Sequence, residues 1–198
     1  EGQGKLRLDS PLSEFFPDFP HAEEVNMKQL LTHTSGIRNY HAFPEWFEQS
    51  QSDTDPFKTI EMVQADPFIF SPGGRFRYTN TGYVLLGLII EQVSGMGFEE
   101  FIQEEICVPL ELEETGVMRN ENVVMQLATG YTTSPRDTRR ARYINYLQPF
   151  SSGNMYSTIT DLWRFTKAVM SAELLPKFQP RQIFYDNDGM YGFGWGIR

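Results

Sequence analysis

Residues 71–95 read SPGGRFRYTNTGYVLLGLIIEQVSG, and the apolar second half of this stretch decides the architecture of the chain. The run is apolar almost all round, which predicts a buried helix over residues 81–94 rather than an amphipathic surface helix. Gly95 suits the left-handed position just past the end of such a helix. Gly87, in its middle, indicates that another stretch of backbone approaches closely. The sequence therefore predicts a core built around one buried helix.

Tyr78 and Asn80 stand where this predicted helix begins. Backbone N–H groups and the helix dipole favour anionic groups there. A tyrosine can carry a proton when a neighbouring cation lowers its pKa from the usual value of about 10. An asparagine can hydrogen-bond a substrate amide. The spacing is equally compatible with a core aromatic at Tyr78 and a helix N-cap at Asn80, so the tripeptide alone does not define a site.

The remaining sequence predicts several short helices and few strands. Helices are expected over residues 26–33, with Asn26 as N-cap, over residues 44–49, 59–65 and 98–106, and from Thr158 onward, with Leu162, Phe165 and Val169 as its core face. Extended segments are expected near the two ends of the chain, at residues 5–9 and 193–197. Residues 118–150 are expected to be irregular. The fold class expected is α+β, mainly helical, with no internal domain boundary.

Composition excludes several classes of function. The formal charge is 17 − 26 = −9, which argues against nucleic acid as a partner and against anionic lipid. Cys107 is the single cysteine, so no internal disulfide exists, and a buried thiol is expected. No apolar run reaches the roughly 18 residues that a membrane-spanning helix needs. Four arginines at residues 136–142 are interpreted as a solvated loop.

No cofactor or metal is predicted. His21, Glu23 and Glu24 are possible ligands, but no second cluster supports them, and no zinc or phosphate-loop motif is present. His33 and Ser35 suggest a base and a nucleophile, yet residues two apart at a helix end do not face each other. We therefore interpret both as structural.

Several ordered motifs resemble one family over nearly the whole chain. They are LLTHTSGI at residues 30–37, PGGRFRYTNTGY at 72–83, GLIIEQVSG at 87–95, ATGY at 128–131, SGNMYST at 152–158 and YGFGWG at 191–196. Together they strongly resemble the serine β-lactamase-related family. That family includes class C β-lactamases, D-alanyl-D-alanine carboxypeptidases, and esterases and peptidases built like them.

The resemblance implies acyl-enzyme chemistry on an amide or ester. A serine of a Ser-x-x-Lys motif attacks the acyl carbonyl, and the tyrosine of a Tyr-x-Asn motif handles protons. Tyr78 and Asn80 match that motif, so the resemblance implies a catalytic Tyr78 and a substrate-binding Asn80. Ser152 stands where class C β-lactamases carry a tyrosine. It is expected to be a substrate-binding position, and this departure favours a peptidase or esterase relative.

Two elements of the family pattern have no match in this chain. No serine is followed by lysine three residues later. The nucleophile is therefore expected upstream of Glu1, and the Lys-Thr-Gly or His-x-Gly strand downstream of Arg198. Residues 1–198 are expected to form a single partial domain, the central part of a β-lactamase/transpeptidase-like fold. We expect this span to be inactive by itself and prone to self-association through exposed apolar surface.

A second hypothesis is a non-catalytic relative that keeps the fold to bind cell-wall peptide or a protein partner. Alanine or glycine at the serine position of the Ser-x-x-Lys motif would favour it. For the enzyme, the expected partner is a small-molecule or peptide substrate, and the expected location is outside the cytoplasm.

Overall fold

The computed structural model describes residues 6–49, 51–52, 55–171 and 191–196. Its centre is helix α4, Asn80–Ser94, against which pack α1 (Met27–Leu31), α3 (Pro56–Gln64), α5 (Phe98–Ile102) and the 3-10 turn Phe150–Ser152. The predicted buried helix is confirmed. Gly95 ends it at φ 76°, with its N–H donating to the Glu91 carbonyl, as the left-handed cap requires.

Gly87 is buried at a close contact, but its partner is a side chain. A β-carbon at this position would lie 2.0 Å from Oγ of Ser151. That hydroxyl donates a 2.8 Å hydrogen bond to the Tyr83 carbonyl, one turn earlier in α4. The expectation of a neighbouring backbone is therefore wrong, because a short serine side chain fills the space that glycine leaves.

Two apolar clusters form the interior. The larger contains side chains of α1, α3 and α4, among them Leu30, Val63, Leu85 and Ile89. The smaller lies under α5 and contains Phe98, Ile102, Cys107, Leu112 and Val117. Phe150 packs against both clusters. Cys107 is buried as expected, and burial raises the pKa of its thiol.

The shorter helices follow the sequence pattern closely. Asn26 caps α1 in a reciprocal capping box with Gln29, in which each side chain accepts from the other residue's backbone N–H at 2.9 Å. Helix α2 spans Pro44–Gln49. Helix α3 begins three residues earlier than predicted, because Asp55 caps it and proline is accepted in its first turn. Helix α5 continues as a π-helical turn over Gln103–Cys107.

The described strands lie in the middle of the chain. Residues 6–9 and 193–196, the described parts of the two predicted end segments, contain none of them, so the expectation is wrong for these residues. Strand β1 (Gly116–Val117) pairs antiparallel with β4 (Met155–Tyr156), and β2 (Tyr131–Ser134) forms a hairpin with β3 (Asp137–Arg140). Residues 118–150 are thus not wholly irregular. All eight residues of the hairpin strands are exposed, so no alternation of apolar side chains marked them in the sequence.

The two predicted end segments form turns instead. The Ser10 N–H donates to the Arg7 carbonyl at 3.1 Å, which turns the chain before it enters the core. At the other end, the Gly192 N–H donates to the Trp195 carbonyl at 2.8 Å, and Gly194 has φ 84°. Lys5 and Ile197, which belonged to these expectations, lie outside the described residues.

Helix α6 spans Ile159–Met170, and its inward face matches the expected one at Phe165 and Val169 but not at Leu162. Thr158 caps it, accepting from the Asp161 N–H at 3.4 Å. The Asp161 carboxylate does not reach back to the cap. It accepts instead from the Glu114 N–H and the Thr115 hydroxyl, each at 2.9 Å. This anchor rotates Leu162 outward to 54% exposure, so the prediction of Leu162 as core is wrong, whereas Phe165 is half-buried and Val169 is buried.

Within the described part of the chain, no single helix is long and apolar enough to cross a membrane. Helix α4 and the helical segment from Phe98 to Cys107 meet the length and composition requirement only as a pair, bent by 82°.

Candidate active site

Residues 33–38 pair with residues 67–77 through a series of backbone hydrogen bonds. The carbonyls of His33, Thr34 and Gly36 accept from the N–H groups of Arg77, Gly73 and Ile69 at 2.9, 2.8 and 3.0 Å. Gly36 has φ 76°, and a β-carbon there would lie 2.1 Å from the Phe70 carbonyl oxygen. Only glycine fits this contact. The His-Thr-Ser-Gly motif therefore holds in place the chain that leads into Tyr78.

His33 is buried at the end of this pairing, with 1% of its surface exposed. Its Nδ1 accepts a 3.3 Å hydrogen bond from the Thr79 backbone N–H, so the neutral ring carries its proton on Nε2. Burial lowers the pKa of His33 to about 4, because the charged ring would lose its hydration. The structural interpretation of His33 fits these contacts. Ser35 is likewise buried, and its hydroxyl accepts from the Ile37 N–H.

Three tyrosine rings surround this imidazole. The ring centroids of Tyr78, Tyr191 and Tyr83 lie 4.3, 4.5 and 5.0 Å from that of His33. Burial raises the pKa values of Tyr83 and Tyr191. Tyr78 differs from its neighbours because half of its surface is exposed. Tyr78 is therefore not a core aromatic. Its ring contacts that of His33, and half of the residue is exposed to solvent.

Asn80 is the first residue of α4, and Thr79 occupies the N-cap position. The Tyr40 hydroxyl lies 3.0 Å from Oγ of Ser152. Burial raises the pKa of that hydroxyl, and the neighbouring Ser152 and Asn80 side chains oppose the rise. Ser152 donates its own proton to the Pro149 carbonyl. Tyr40 must then donate to Ser152.

Tyr40 is a site residue that the sequence did not indicate. It lies in an aromatic-rich loop without periodicity, so nothing local distinguishes it from its neighbours. Its position depends on Thr81 in the first turn of α4, whose hydroxyl accepts from the Tyr40 N–H at 2.9 Å and donates to the Arg38 carbonyl at 2.7 Å. Burial raises the pKa of Tyr40, so it remains a proton donor to Ser152 at neutral pH.

Tyr40, Asn80 and Ser152 line one cleft of about 790 Å³. This volume suits a small-molecule ligand. The cleft is also lined by Trp46 and His41 on one segment and by residues 140–144, which begin at the last residue of β3. Two of the three sequence-predicted site residues, Asn80 and Ser152, therefore line one cleft. Tyr78, the third, is not among the residues that line it, and it precedes Asn80 by two positions along the chain.

His21, Glu23 and Glu24 lie together elsewhere on the surface. Their ligand atoms are within 4.8 Å of one another, and all three residues are exposed. Nδ1 of His21 lies 2.9 Å from a carboxylate oxygen of Glu24. This contact joins two members of the group directly, and the prediction that these residues do not form a metal site stays a prediction.

A model of the Beta-lactamase family matches residues 1–197. The chain belongs to the Beta-lactamase family. It is 29% identical to penicillin-binding protein 4* of Bacillus subtilis (strain 168), over 100% of this chain and 48% of that protein. It is 25% identical to a teichoic acid D-alanine hydrolase of Staphylococcus aureus, over 98% of this chain and 49% of that protein. It spans about half the length of these curated relatives.

Solved structures agree with this assignment. The D-stereospecific amidohydrolase from Streptomyces sp. superposes with a TM-score of 0.84 at 25% identity, over 98% of this chain and 64% of that one. The expected fold class is therefore confirmed: the chain has the β-lactamase/transpeptidase-like fold, mainly helical with small sheets, and covers part of it. The interpretation of residues 1–198 as a single partial domain stays a prediction.

The buried His33 predicts a pH-dependent stability. The unfolded chain binds a proton at His33 below pH 6.5, whereas the folded chain does so only near pH 4. Stability from the neutral ring is therefore complete above pH 6.5 and falls as the pH drops towards 4, by about 3 kcal/mol. Burial raises the pKa values of the neighbouring Tyr83 and Tyr191, so these two groups do not titrate in this range. Urea unfolding of the full-length protein between pH 4 and 7 measures this slope.

His33→Asn is the matched control, because asparagine tolerates the positive φ of 56° and offers an acceptor oxygen near the Nδ1 position. We expect its free energy of unfolding to lack the slope attributed to His33, whatever its absolute value. Equal slopes in the two proteins would contradict the prediction.

Proposed function

We propose that the full protein is a serine hydrolase that cleaves an amide or ester through an acyl-enzyme. The observation that carries this proposal is the position of Tyr78, half-exposed and packed on a neutral His33, two residues before an asparagine that lines the cleft. The family membership and the names of the relatives support it. One relative is called a teichoic acid D-alanine hydrolase and another a D-stereospecific amidohydrolase.

In this proposal, Tyr78 is the general acid and base. The serine of a Ser-x-x-Lys motif, which residues 1–198 do not contain, attacks the acyl carbonyl of the substrate. Tyr78 relays the proton of that serine to the leaving alcohol or amine. Water then attacks the acyl-enzyme. Its proton passes through Tyr78 to the serine oxygen, and the acid is released.

Asn80 and Ser152 bind the substrate in this proposal. The amide of Asn80 lines the cleft beside Tyr40, and in this role its oxygen accepts from an N–H of the acyl group. Ser152 accepts from Tyr40 and donates to Pro149, which leaves one lone pair for a further donor. Both residues therefore present acceptors to the cleft, as recognition of an amide-bearing acyl group requires.

Labelling with a fluorescent penicillin and a fluorophosphonate tests the proposal. We expect the full-length protein to be labelled and the 198-residue chain to remain unlabelled. Tyr78→Phe in the full-length protein should slow acylation by a factor on the order of 100 or more, because proton transfer is lost. Tyr131→Phe, a change at an exposed residue of β2, is the matched control and should be unaffected.

Two outcomes contradict parts of the proposal. Labelling of the 198-residue chain would show that the nucleophile lies within it. The non-catalytic binding alternative would be favoured by two results together. The full-length protein would react with neither probe, and alanine or glycine would stand in place of the motif serine.

Tyr40→Phe tests whether the Tyr40 hydroxyl positions the polar groups of the cleft, Ser152 and Asn80. The substitution removes one hydroxyl and keeps the buried ring, whose centroid lies 5.1 Å from that of Trp46. We expect the acylation rate to fall about tenfold for probes that carry an acylamino group, which corresponds to about 1.4 kcal/mol. A small fluorophosphonate lacks this group and should react within twofold of the wild-type rate. An equal loss with both probes would indicate a general structural defect and contradict the positioning role.

We also propose that the 198-residue chain self-associates through α6. The side chains of Ile159, Leu162, Trp163 and Met170 recur at helical spacing and are all exposed. Trp163→Glu should shift the chain towards monomer in sedimentation velocity, whereas Gln51→Glu adds the same charge elsewhere and should not. A wild-type chain that sediments as a monomer over a 100-fold range of concentration would contradict the proposed self-association.

We propose an extracytoplasmic location for the full protein, supported by its similarity to a penicillin-binding protein and a teichoic acid hydrolase. Protease accessibility in intact cells that produce the full protein distinguishes this location from the cytoplasm.

A further inference from the structure

A second cavity lies close to the cleft and is lined by a different set of residues. Its volume is about 550 Å³, which suits a small-molecule ligand. The buried side chains of Phe98, Ile102 and Val117 give it an apolar surface, and the ring centroid of Phe150 lies 5.2 Å from that of Phe98. Among the residues that the structure describes, this second cavity and the cleft share no lining residue.

Asn154, which lines the second cavity, carries an unpaired hydrogen-bond acceptor. Only 3% of its surface is exposed, and its Oδ1 has no hydrogen-bond partner in the described part of the chain. Both backbone groups of Asn154 are engaged. Its N–H donates to the Phe150 carbonyl at 3.2 Å, and its carbonyl accepts from the Met118 N–H at 2.6 Å. A buried acceptor without a donor is unfavourable, so a ligand that donates a proton to this oxygen gains affinity.

The charged lining of the second cavity favours a cation. Its members are Glu91, Glu99, Glu100 and Arg119. Arg119 is already paired with Glu99. One oxygen of Glu91 accepts from the Phe98 N–H at 2.7 Å, but among the described residues neither Glu91 nor Glu100 has a cationic partner. The charge that remains for a ligand is therefore negative.

We propose that the second cavity binds a small organic amine and acts as an effector site for the cleft. A protonated primary amine has three N–H donors and a positive charge, which match an amide oxygen and two carboxylates. Its hydrocarbon part lies against the paired rings of Phe98 and Phe150, and a cation near such rings gains a further attraction. A carboxylate or phosphate ligand meets the same glutamates and is repelled.

One segment of chain, residues 146–154, lines both spaces. Its residues on the cleft are Tyr146, Pro149, Ser152 and Gly153, and its residues on the second cavity are Leu147, Phe150 and Asn154. Phe150 has φ 41°, a conformation that is strained for a residue other than glycine. A ligand that contacts Phe150 and Asn154 stabilises this strained turn, which also carries Ser152, a proposed substrate-binding residue. Occupation of the second cavity is therefore expected to favour binding in the cleft.

Calorimetric titration of the full-length protein with three small probes tests the binding. The probes are 2-phenylethylamine, which is cationic, 2-phenylethanol, which is neutral, and 3-phenylpropionate, which is anionic. We expect the amine to bind with a dissociation constant on the order of 1 mM or below, as suits a ligand of this size. It should bind about tenfold more tightly than the propionate at low salt, and this difference should shrink as salt screens the charges.

Two variants locate the bound amine. Asn154→Leu removes the unpaired oxygen at similar volume, so it should weaken the amine and the alcohol about 5- to 20-fold without lowering Tm. Glu100→Gln, at an exposed residue, should weaken the amine about threefold or more and leave the alcohol within twofold of wild type. Glu113→Gln removes the same charge at an exposed residue outside the lining and is the matched control, for which all three probes should bind as to wild type.

The effector role is measured by acylation with a fluorescent penicillin, and this part of the inference rests on the proposed function. A saturating concentration of 2-phenylethylamine should lower the penicillin concentration that gives half the maximal acylation rate, by about fivefold in the wild type. In Asn154→Leu the same concentration of amine should leave this value within 1.5-fold.

Each contrary outcome overturns a defined part of the proposal. Equal affinity for the amine and the propionate, or for the amine in wild type and Asn154→Leu, overturns the binding site. Amine binding that leaves acylation unchanged overturns the effector role. If no protein is acylated but the amine binds to the wild type and not to Asn154→Leu, the proposed function and the effector role fail and the binding site stands.

Discussion

The hydrogen bond from the Thr79 backbone N–H to Nδ1 of buried His33 is the contact on which the candidate site depends. Thr79 is the N-cap of α4, and its own side chain makes no capping bond. A buried N–H without an acceptor costs about 1–3 kcal/mol. The imidazole supplies that acceptor from the preceding segment and fixes the approach to the helix, with Tyr78 on one side of Thr79 and Asn80 on the other.

The first turn of α4 connects this approach to the rest of the molecule. Thr81 hydrogen-bonds the segment that carries Tyr40, and the Tyr83 hydroxyl donates to the Leu31 carbonyl in α1 at 2.9 Å. Beyond this turn the helix is packed on nearly every side, so the polar groups at its start cannot shift without disturbing the core. One helix therefore fills the interior and holds the polar residues at the edge of the cleft.

Sequence patterns located the helices well where a cap or a continuous apolar run was present. The Asn26 cap and the run ending at Gly95 are local signals, and the structure matches both. Predictions failed where a distant contact decided the outcome. Asp161 accepts from residues 114 and 115 and so rotates Leu162 to the surface. The β2–β3 hairpin is exposed on both faces, so it left no apolar pattern in the sequence.

By itself, the sequence determined the central helix, its left-handed glycine end, the mainly helical class and the family, because these depend on local periodicity and on ordered motifs. It also placed Tyr78 and Asn80 together, two residues apart at the start of α4. Only the tertiary structure brought Tyr40 and Ser152, 112 positions apart, to a 3.0 Å hydrogen bond beside Asn80. It alone showed that residues 146–154 line two cavities. Contacts of this kind depend on how separate segments pack against α4, and no local pattern of residues encodes that packing.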